Sequence, residues 1–296
     1  MKVGLTGATG FVARHLVPLL CARGHTVVAF VRRPGQAVPA GVTETRPLSP
    51  DAPPDVAGLD AIINLAGDPI LGRWTAAKKG RVLASRLGTT ERLVTAMRAT
   101  PGGPRVLVSA SAVGFYGDAD DRPCPETAPA GTGFLSEVCV GWEAAAHRAE
   151  EFGARVACVR IGFVLGRDGG AFPLLRTAFR LCLGGRLGDG RQWMPPIHVA
   201  DVAGIFAHLL EDPAARGAFN AACPEPIRNA DFTRAVARSL GRPALLPAPG
   251  LALRLVMGEA SHVVLDSARV LPEATLRAGY AFRFPTPGAI LADLAR

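Results

Sequence analysis

The chain has 296 residues, 49% of them hydrophobic, and a formal net charge of +8, so it can bury a substantial core as one large domain or two unequal ones. Its six cysteines are scattered singly, without C-x-x-C or a Cys/His cluster at ligand spacing, which favours reduced thiols over a disulfide framework or a zinc site, so we expect no metal. The basic residues are dispersed arginines with few aromatics among them, so we expect an arginine-rich surface and no nucleic-acid partner.

The first half of the chain alternates strands with amphipathic helices. We expect strands at Lys2–Thr6, Thr26–Val31, Ala61–Asn64, 105–110 and Arg155–Ile161, and helices at 11–23, 75–99 and 134–152. Such alternation is typical of crossover connections and of a parallel sheet covered on both faces. It predicts an α/β fold, with a Rossmann doubly wound parallel sheet in residues 1–165. Gly/Pro-rich turns break the pattern afterwards, so 166–296 should form a smaller, partly interleaved substrate-side domain, with 198–212 returning to the first.

A glycine-rich turn joins the first strand to the first helix. Residues 3–13 read V-G-L-T-G-A-T-G-F-V-A, which places Gly7, Gly10 and Ala13 in a G-x-x-G-x-x-A spacing. The glycines permit a tight turn and a close approach of backbone to phosphate, and the small third residue lets helix pack on strand. A pyrophosphate would then sit at the positive end of the helix. The dinucleotide-binding residues expected at this turn are Thr6, Gly7, Thr9, Gly10, Phe11 and Val12.

The end of the second strand indicates which dinucleotide binds. NAD sites usually place an Asp or Glu there for the adenosine ribose hydroxyls, whereas this chain has Arg32 and Arg33. An arginine can pair bidentately with a 2′-phosphate. We therefore expect NADP(H) as the cofactor, the alternative being an ordinary exposed arginine pair before a turn.

Two further strand ends should face the same crevice, because ligands of open α/β sheets lie at the carboxyl ends of the strands. Leu65, Ala66 and Gly67 follow one strand with small or apolar residues that let a cofactor lie against the backbone. Ser109 and Ala110 end the next one, where the nicotinamide should fall.

A cationic cluster opens the following helical stretch. Arg73 and Arg86 are candidates to hold an anionic substrate or the dinucleotide phosphates, with Trp74 as a stacking wall. A plain helix start with solvated cations is the alternative. We assign Arg86 to the cofactor, and Arg73 and Trp74 to the substrate.

At these residues the chain resembles the extended short-chain dehydrogenases/reductases of the NAD-dependent epimerase/dehydratase type. The segments that carry the resemblance occur in family order: T-G-A-T-G-F-V-A, N-L-A-G, S-A-S-A-V-G-F-Y-G, V-R-I-G-F-V-L-G and I-H-V-A-D-V-A. A closer similarity, to an atypical sugar-epimerase-like subgroup with a small C-terminal domain of unknown function, comes from Arg73-Trp74-Thr75, Trp142-Glu143, Gln192-Trp193 and Gly258-Glu259. The resemblance implies dinucleotide-dependent chemistry and the option of a homodimer.

The sequence departs from that family at its proton-transfer residues. Active members use a Tyr-x-x-x-Lys pair, in which the lysine lowers the tyrosine pKa and the phenol moves the proton that accompanies hydride transfer. Here Tyr116 and Tyr280 are the two tyrosines, and neither precedes a lysine by four residues. Aligning Trp142-Glu143 with the family's helix puts Leu135 and Cys139 at the tyrosine and lysine positions.

Four residues are candidates to replace the missing pair. Ser111 matches the family's catalytic Ser/Thr and would polarise the substrate oxygen. Cys139 and Glu137 could shuttle a proton if the site shifted their pKa, and Tyr116 could point into the same cavity. Each has a structural alternative: Cys139 as core, Glu137 as an exposed helical residue, and Tyr116 as a packed aromatic.

Two later residues are assigned to the substrate side. Trp193 lies in a loop before two prolines, where it could cover the nicotinamide pocket. His198 belongs to the I-H-V-x-D-V-A segment, where the histidine and Asp201 either act on the substrate or orient helix and loop.

The resulting hypothesis is an NADP(H)-dependent oxidoreductase or epimerase that acts on a small polar substrate by non-standard proton transfer. The alternative is a non-catalytic NADP(H)-binding sensor or regulatory partner. No apolar run reaches the roughly 18 residues of a membrane span. We accordingly expect a soluble, cytoplasmic protein without a membrane partner.

Overall fold

A computed structural model describes residues 1–296. The strands are β1 Lys2–Thr6, β2 Thr26–Val31, β3 Val42–Pro47, β4 Ala61–Asn64, β5 Val106–Ala112, β6 Pro123–Cys124, β7 Arg155–Ile161, β8 Phe163–Gly166, β9 Gly169–Gly170, β10 Trp193–Met194, β11 Pro196–His198, β12 Gly217–Ala221, β13 Ile227–Arg228 and β14 Arg269–Val270. The α-helices are α1 Phe11–Ala22, α2 Ala76–Leu83, α3 Thr89–Ala99, α4 Phe134–His147, α5 Phe172–Arg180, α6 Val199–Glu211, α7 Asn229–Leu240, α8 Gly250–Met257, α9 His262–Leu265, α10 Glu273–Arg277 and α11 Pro287–Leu294.

Seven parallel strands form the central sheet in the order β3-β2-β1-β4-β5-β7-β12. The order reverses direction beside β1, which is the arrangement of a doubly wound Rossmann sheet with its ligand crevice at the switch point. One face packs on α1 and α6, and the other on α3 and α4. Strands covered on both faces read as continuous apolar runs, and β1, β2 and β4 do so. The predicted fold class is confirmed.

Outside the main sheet, short strands and helices surround a separate apolar cluster, and we call this part of the chain the smaller domain. A three-stranded sheet in the order β11-β8-β9 and the pair β10-β13 stand beside the main sheet. The cluster joins α5, α7 and α11 through Phe172, Phe179, Phe232, Ile290 and Leu291.

The chain crosses between the two parts more than once. After β11 it returns through α6, which packs on α1, and continues into β12, the edge strand that pairs with β7 from Gly217↔Ala157 to Ala221↔Ile161. The segment that follows β11 and joins the main sheet thus comprises α6 and β12. No helix is both long enough and apolar enough to cross a membrane.

Two buried carboxylates tie the C-terminal segments to the main domain. Asp201 on α6 accepts the amides of Arg283 (2.8 Å) and Phe284 (2.9 Å). Glu126 accepts the amides of Asn220 and Ala274, each at 2.9 Å. A buried carboxylate saturated by backbone donors stabilises the junction, and its truncation would leave those amides unpaired.

Candidate functional site: the dinucleotide crevice

The glycine turn lies directly against the end of β4. Gly7 has φ +66°, and a Cβ there would stand 2.5 Å from the Leu65 carbonyl oxygen, so only glycine fits. The Gly10 amide donates to the Gly7 carbonyl at 2.9 Å, and Gly10 precedes α1 without any side-chain cap. The uncapped first turn of α1 contains no acidic residue, which leaves its amides available for an anion.

The Phe11 ring supports the glycine turn by packing against the hairpin of β8 and β9. Its ring fills the space beside Gly166, Gly169 and Gly170 in the hairpin of β8 and β9, where any Cβ would stand within 3.0 Å of the ring. The side chain thus fixes the entry of α1 against the smaller domain, while the backbone amide of Phe11 remains in the first turn.

Arg32 and Arg33 follow β2 and are exposed. With Pro34, Gly35 and Gln36 they line a surface depression of about 360 Å³ that contains no acidic residue. Neither guanidinium has an ion-pair partner, since the salt bridges of this region join Lys2 and Arg46 to Glu44. The depression is thus suited to an anionic group.

A buried polar network holds the ends of β1, β4 and β5 in register. The Thr6 hydroxyl donates to Asn64 Oδ1 at 2.6 Å and accepts the Leu65 amide at 3.1 Å. Asn64 Nδ2 donates to Thr90 Oγ1 (2.8 Å) and Ser109 Oγ (3.2 Å). The side chains of Thr6 and Ser109 are fully buried, so they shape the crevice from below while Leu65, Ala66 and Gly67 form its surface.

Arg86 reaches the same crevice from a π-helical turn, Ala84–Gly88, a feature often found at functional sites. Its guanidinium lies against Gly67, where a Cβ would stand 3.1 Å from Cζ, and over the Trp142 ring at 5.2 Å. Nη1 donates to the Asp68 carbonyl at 3.0 Å, whereas Nε and Nη2 have no partner in the chain and are not sealed from solvent. Partial burial lowers the pKa of Arg86. It is a fixed cation with free donors at the end of β4.

Ser111 at the end of β5 belongs to a buried network of hydrogen bonds and charges. Its hydroxyl donates to Glu143 Oε1 at 2.6 Å, and Arg160 binds both oxygens of Glu143, with Nε and Nη2 each at 2.8 Å. Glu143 bound in this way is a carboxylate, which accepts and never donates. The Ser111 proton is therefore directed at Glu143, and the nearly buried hydroxyl, 2% exposed, offers only acceptor capacity to another group.

This hydrogen-bond network continues from Arg160 into the core. Arg160 Nη1 donates to the Tyr116 hydroxyl at 3.0 Å, and Tyr116 donates to Asn220 Oδ1 at 2.7 Å. Tyr116 is fully buried, and burial raises its pKa to about 12. It is a packed core residue, so the expectation that it faces the substrate cavity is not met.

Trp193 on β10 lies between two arginines. Arg228 stacks at 4.3 Å and Arg269 at 5.2 Å from the ring centroid, and the indole N–H donates to Asp121 at 2.8 Å. Arg228 also pairs with Asp121. Arg269 forms no side-chain hydrogen bond, and its Nε is buried without a partner. These contacts create a cationic, aromatic wall on the smaller domain.

The other proposed substrate residues lie in different surroundings. Trp74 is buried, donates to the Ile70 carbonyl at 2.9 Å and packs edge-on against Phe134, while Arg73 is exposed. His198 Nδ1 accepts the Ala200 amide at 3.1 Å at the start of α6, its ring stacks on Phe284, and burial lowers its pKa. His198 thus orients helix and loop and is directed at Asp293, 3.5 Å away.

Two family models match successive parts of the chain. Residues 3–222 match the NAD dependent epimerase/dehydratase family, and residues 248–294 match a domain of unknown function, DUF1731. The chain belongs to the NAD-dependent epimerase/dehydratase family. The family segment ends at the close of β12, and the second segment starts just before α8.

Several relatives of this epimerase-family chain extend over its whole length. It is 40% identical over 300 residues to the bovine (Bos taurus) epimerase family protein SDR39U1, covering 99% of each chain. The structure of human epimerase family protein SDR39U1 with NADPH matches with TM-score 0.92 and 37% identity, over 100% of this chain and 99% of that one. A nucleoside-diphosphate sugar epimerase from Corynebacterium glutamicum matches with TM-score 0.81 and 31% identity, over 100% of this chain and 58% of that one.

Apolar or buried side chains occupy the positions of the family's Tyr-x-x-x-Lys pair. Leu135, Cys139 and Glu143 follow each other at four-residue spacing on one face of α4. Leu135 packs against Gly114, and burial together with the charge of Glu143 raises the pKa of the Cys139 thiol to about 11. Glu137 is exposed on another face. A buried, protonated thiol and a solvated carboxylate give no support to a proton shuttle at either position.

Four polar residues of the site do not stand out as such in the sequence: Asn64 and Glu143 beneath the crevice, and Arg228 and Arg269 beside Trp193. In the sequence, Glu143 is noticeable only as part of the Trp142-Glu143 motif. The signal in the sequence is Arg160, which lies in a mainly apolar strand. A charge inside a buried strand requires a partner of opposite charge, and Glu143 on α4 is that partner.

Proposed function

We propose that the protein is an NADP(H)-dependent, epimerase-like oxidoreductase acting on a small polar substrate that carries negative charge. The observation that carries the proposal is the exposed Arg32–Arg33 depression after β2, next to an uncapped glycine turn. A 2′-phosphate fits two unpaired guanidiniums, whereas a ribose hydroxyl would gain little from them. The human relative's NADPH complex supports the same cofactor.

The cofactor would supply or accept hydride at its nicotinamide. The residues expected to hold it are the amides of α1's first turn, Arg32 with Arg33, the backbone of 65–67, and Arg86. Arg86 would place free N–H donors beside Gly67, where the phosphates or the adjoining ribose pass the end of β4.

Ser111 would orient the reacting oxygen. Because its proton is held by Glu143, Ser111 favours a substrate hydroxyl that donates to it over a carbonyl that needs a donor. This revises the expectation that Ser111 polarises the substrate oxygen, because polarising it would require Ser111 to donate a hydrogen bond. A substrate hydroxyl that donates to Ser111 Oγ is therefore the expected bound form at this position.

The charge of the substrate is inferred from the wall around Trp193. Arg269 is unpaired there, and Arg228 is only partly neutralised by Asp121. Leaving a half-buried guanidinium without a partner is costly unless a ligand satisfies it. A phosphate or carboxylate on the substrate would do so.

A non-catalytic NADP(H) sensor is the second candidate. It is favoured by one observation, the replacement of the family's proton-transfer pair by Leu135 and a Cys139 thiol with pKa about 11. The six free cysteines fit a reducing compartment, and for either function we place the protein in the cytoplasm.

Calorimetric titration of NADPH and NADH into the protein tests the cofactor assignment. Arg32→Ala with Arg33→Ala should weaken NADPH roughly 10- to 100-fold, from the loss of charge-assisted hydrogen bonds, and leave NADH nearly unchanged. Arg216→Ala, another exposed arginine without an ion pair, is the matched control. Equal weakening of both dinucleotides would refute the 2′-phosphate site.

A substrate screen separates the enzyme from the sensor. NADP⁺ is offered with phosphorylated and carboxylated polyols, and NADPH with the corresponding carbonyl compounds, while absorbance of the reduced cofactor is followed. Turnover that Ser111→Ala abolishes supports the enzyme. NADPH binding without turnover on any compound supports the sensor.

A further inference from the structure

Two surface segments of the smaller domain, residues 172–188 and 241–258, lie side by side. The Ala248 amide donates to the Arg186 carbonyl, and the Gly188 amide to the Ala248 carbonyl, each at 2.9 Å. Residues 184–188 thus lie against residues 246–248, and we call the exposed surface of the two joined segments the basic-apolar face. Neither segment contains an aspartate or a glutamate.

The basic-apolar face exposes large aliphatic side chains. On the first segment these are Leu174, Leu181 and Leu183. On the second, α8 buries none of its residues, and Leu251, Leu255 and Val256 are 70%, 73% and 77% exposed. Leu251 and Leu255 share one side of the helix. A monomer rarely exposes so many apolar side chains together unless something covers them.

The same face carries unpaired positive charge. It holds five arginines: Arg176, Arg180, Arg186, Arg242 and Arg254. None of them forms an ion pair, although ion pairs are frequent elsewhere in the molecule. Acids occur only directly after the two segments, at Asp189 and at Glu259, which pairs with Lys79. Unpaired arginines on segments that also expose aliphatic side chains are complementary to an anionic partner.

A second copy of the chain is a poor occupant of this face. Twofold association places the same patch on both subunits, which would bring arginines of one copy against arginines of the other. Protein interfaces are anchored mainly by tryptophan, tyrosine and arginine; this face has arginines, but none of its exposed large apolar side chains is aromatic. Leucine and arginine on a surface helix suit the interface of an anionic bilayer, where leucine enters the acyl boundary and arginine meets the headgroups.

We propose that the basic-apolar face attaches the protein reversibly to the surface of bilayers that contain anionic phospholipid, with α8 lying in the interface. Nothing crosses the membrane in this arrangement, but the proposal revises the expectation from the sequence that the protein has no membrane partner. It concerns a surface distinct from the dinucleotide crevice and does not depend on the proposed enzymatic activity.

Vesicle co-sedimentation of the full chain tests the attachment. The expected result is at least about tenfold more binding to vesicles of phosphatidylcholine with phosphatidylglycerol than to phosphatidylcholine alone. Raising sodium chloride from about 0.1 M to about 1 M shortens the screening length from about 10 Å to about 3 Å and should release most of the protein.

Variants separate the apolar and charged contributions. Leu251→Asp with Leu255→Asp, and separately Arg180→Glu with Arg254→Glu, should each abolish the preference for phosphatidylglycerol. These side chains are exposed, so an unchanged melting temperature would show that the variants fold. Leu276→Asp on α10 and Arg216→Glu before β12 are matched exposed controls that should retain binding.

Three results would overturn the proposal. One is equal binding to both vesicle types, and another is retained binding in the Leu251/Leu255 variant. The third is sedimentation equilibrium that shows a dimer, lost in that variant, without any vesicle binding; the face would then be a contact between copies.

Discussion

Glu143 and Arg160 show how strongly a single buried pair shapes the site. The two side chains are almost completely buried and joined by two hydrogen bonds of 2.8 Å. Their geometry satisfies both charges, yet the desolvation of each ion is costly. The pair is therefore better understood as a device that fixes the direction of the Ser111 hydrogen bond than as a large net source of stability.

This account predicts a non-additive pair of substitutions. Glu143→Leu leaves the Arg160 charge unpaired and should cost about 3–5 kcal/mol in the free energy of unfolding, measured by urea denaturation. Glu143→Leu with Arg160→Met should recover part of that loss. Glu91→Ala, which breaks an exposed pair with Arg148, should change stability by less than about 1 kcal/mol. Additive losses in the double variant would contradict the coupling.

At the scale of elements, the glycine turn between β1 and α1 predicts a sharp contrast between two glycines. Gly7 and Gly24 both have positive φ, +66° and +79°, but only Gly7 has a neighbour, the Leu65 carbonyl. Gly7→Ala should separate β1 from β4 and weaken NADPH binding at least about tenfold. Gly24→Ala should cost only the backbone strain of a positive φ, about 1–2 kcal/mol in the free energy of unfolding, without affecting NADPH binding. Calorimetry and thermal melting of both variants check this. Similar affinity losses in the two would show that strain alone matters.

The sequence predicted elements well where periodicity and turn chemistry agreed. Lys2–Thr6, Thr26–Val31, Ala61–Asn64 and Arg155–Ile161 are observed with the predicted bounds. The strand Val42–Pro47 was missed because it is an edge strand with alternating burial and little apolar content. The helical pattern over 75–99 divides at the π-turn that positions Arg86, and nothing in the sequence marks that irregularity.

The site was less predictable than the fold because its polar partners are distant in sequence. The turn at Gly7 and the arginines after β2 are local patterns. In contrast, Glu143 with Arg160, and Trp193 with Arg228 and Arg269, meet only when the sheet and smaller domain assemble. Proximity of this kind follows from topology and cannot be read from spacing.

At the scale of the whole molecule, His198 links the two parts of the chain and predicts a pH effect. It lies at the start of α6, and its Nε2 stands 3.5 Å from Asp293 on α11. Burial lowers the pKa of His198, and the charge of Asp293 offsets this only partly. The folded state therefore disfavours the protonated ring. Stability should be full above the unfolded pKa of about 6.5 and should fall as the pH drops below it.

His198→Asn tests that effect, because asparagine can keep an acceptor for the Ala200 amide but does not titrate. Urea denaturation at about pH 7.5, 6.5 and 5.5 should show a shallower loss of stability in the variant, by at most about 1.4 kcal/mol per pH unit. Parallel curves for the two proteins would exclude His198 as the source.

The position of β12 has a consequence for how this protein is made. β12 completes the sheet beside β7, but the ribosome reaches it only after β8, β9, α5, β10, β11 and α6. At about 5–20 residues per second, β7 waits several seconds with one edge open. During that interval the nascent chain presents an unpaired strand edge, the feature that chaperones shield and that promotes aggregation at high expression. Slow synthesis and available chaperone should therefore favour its yield.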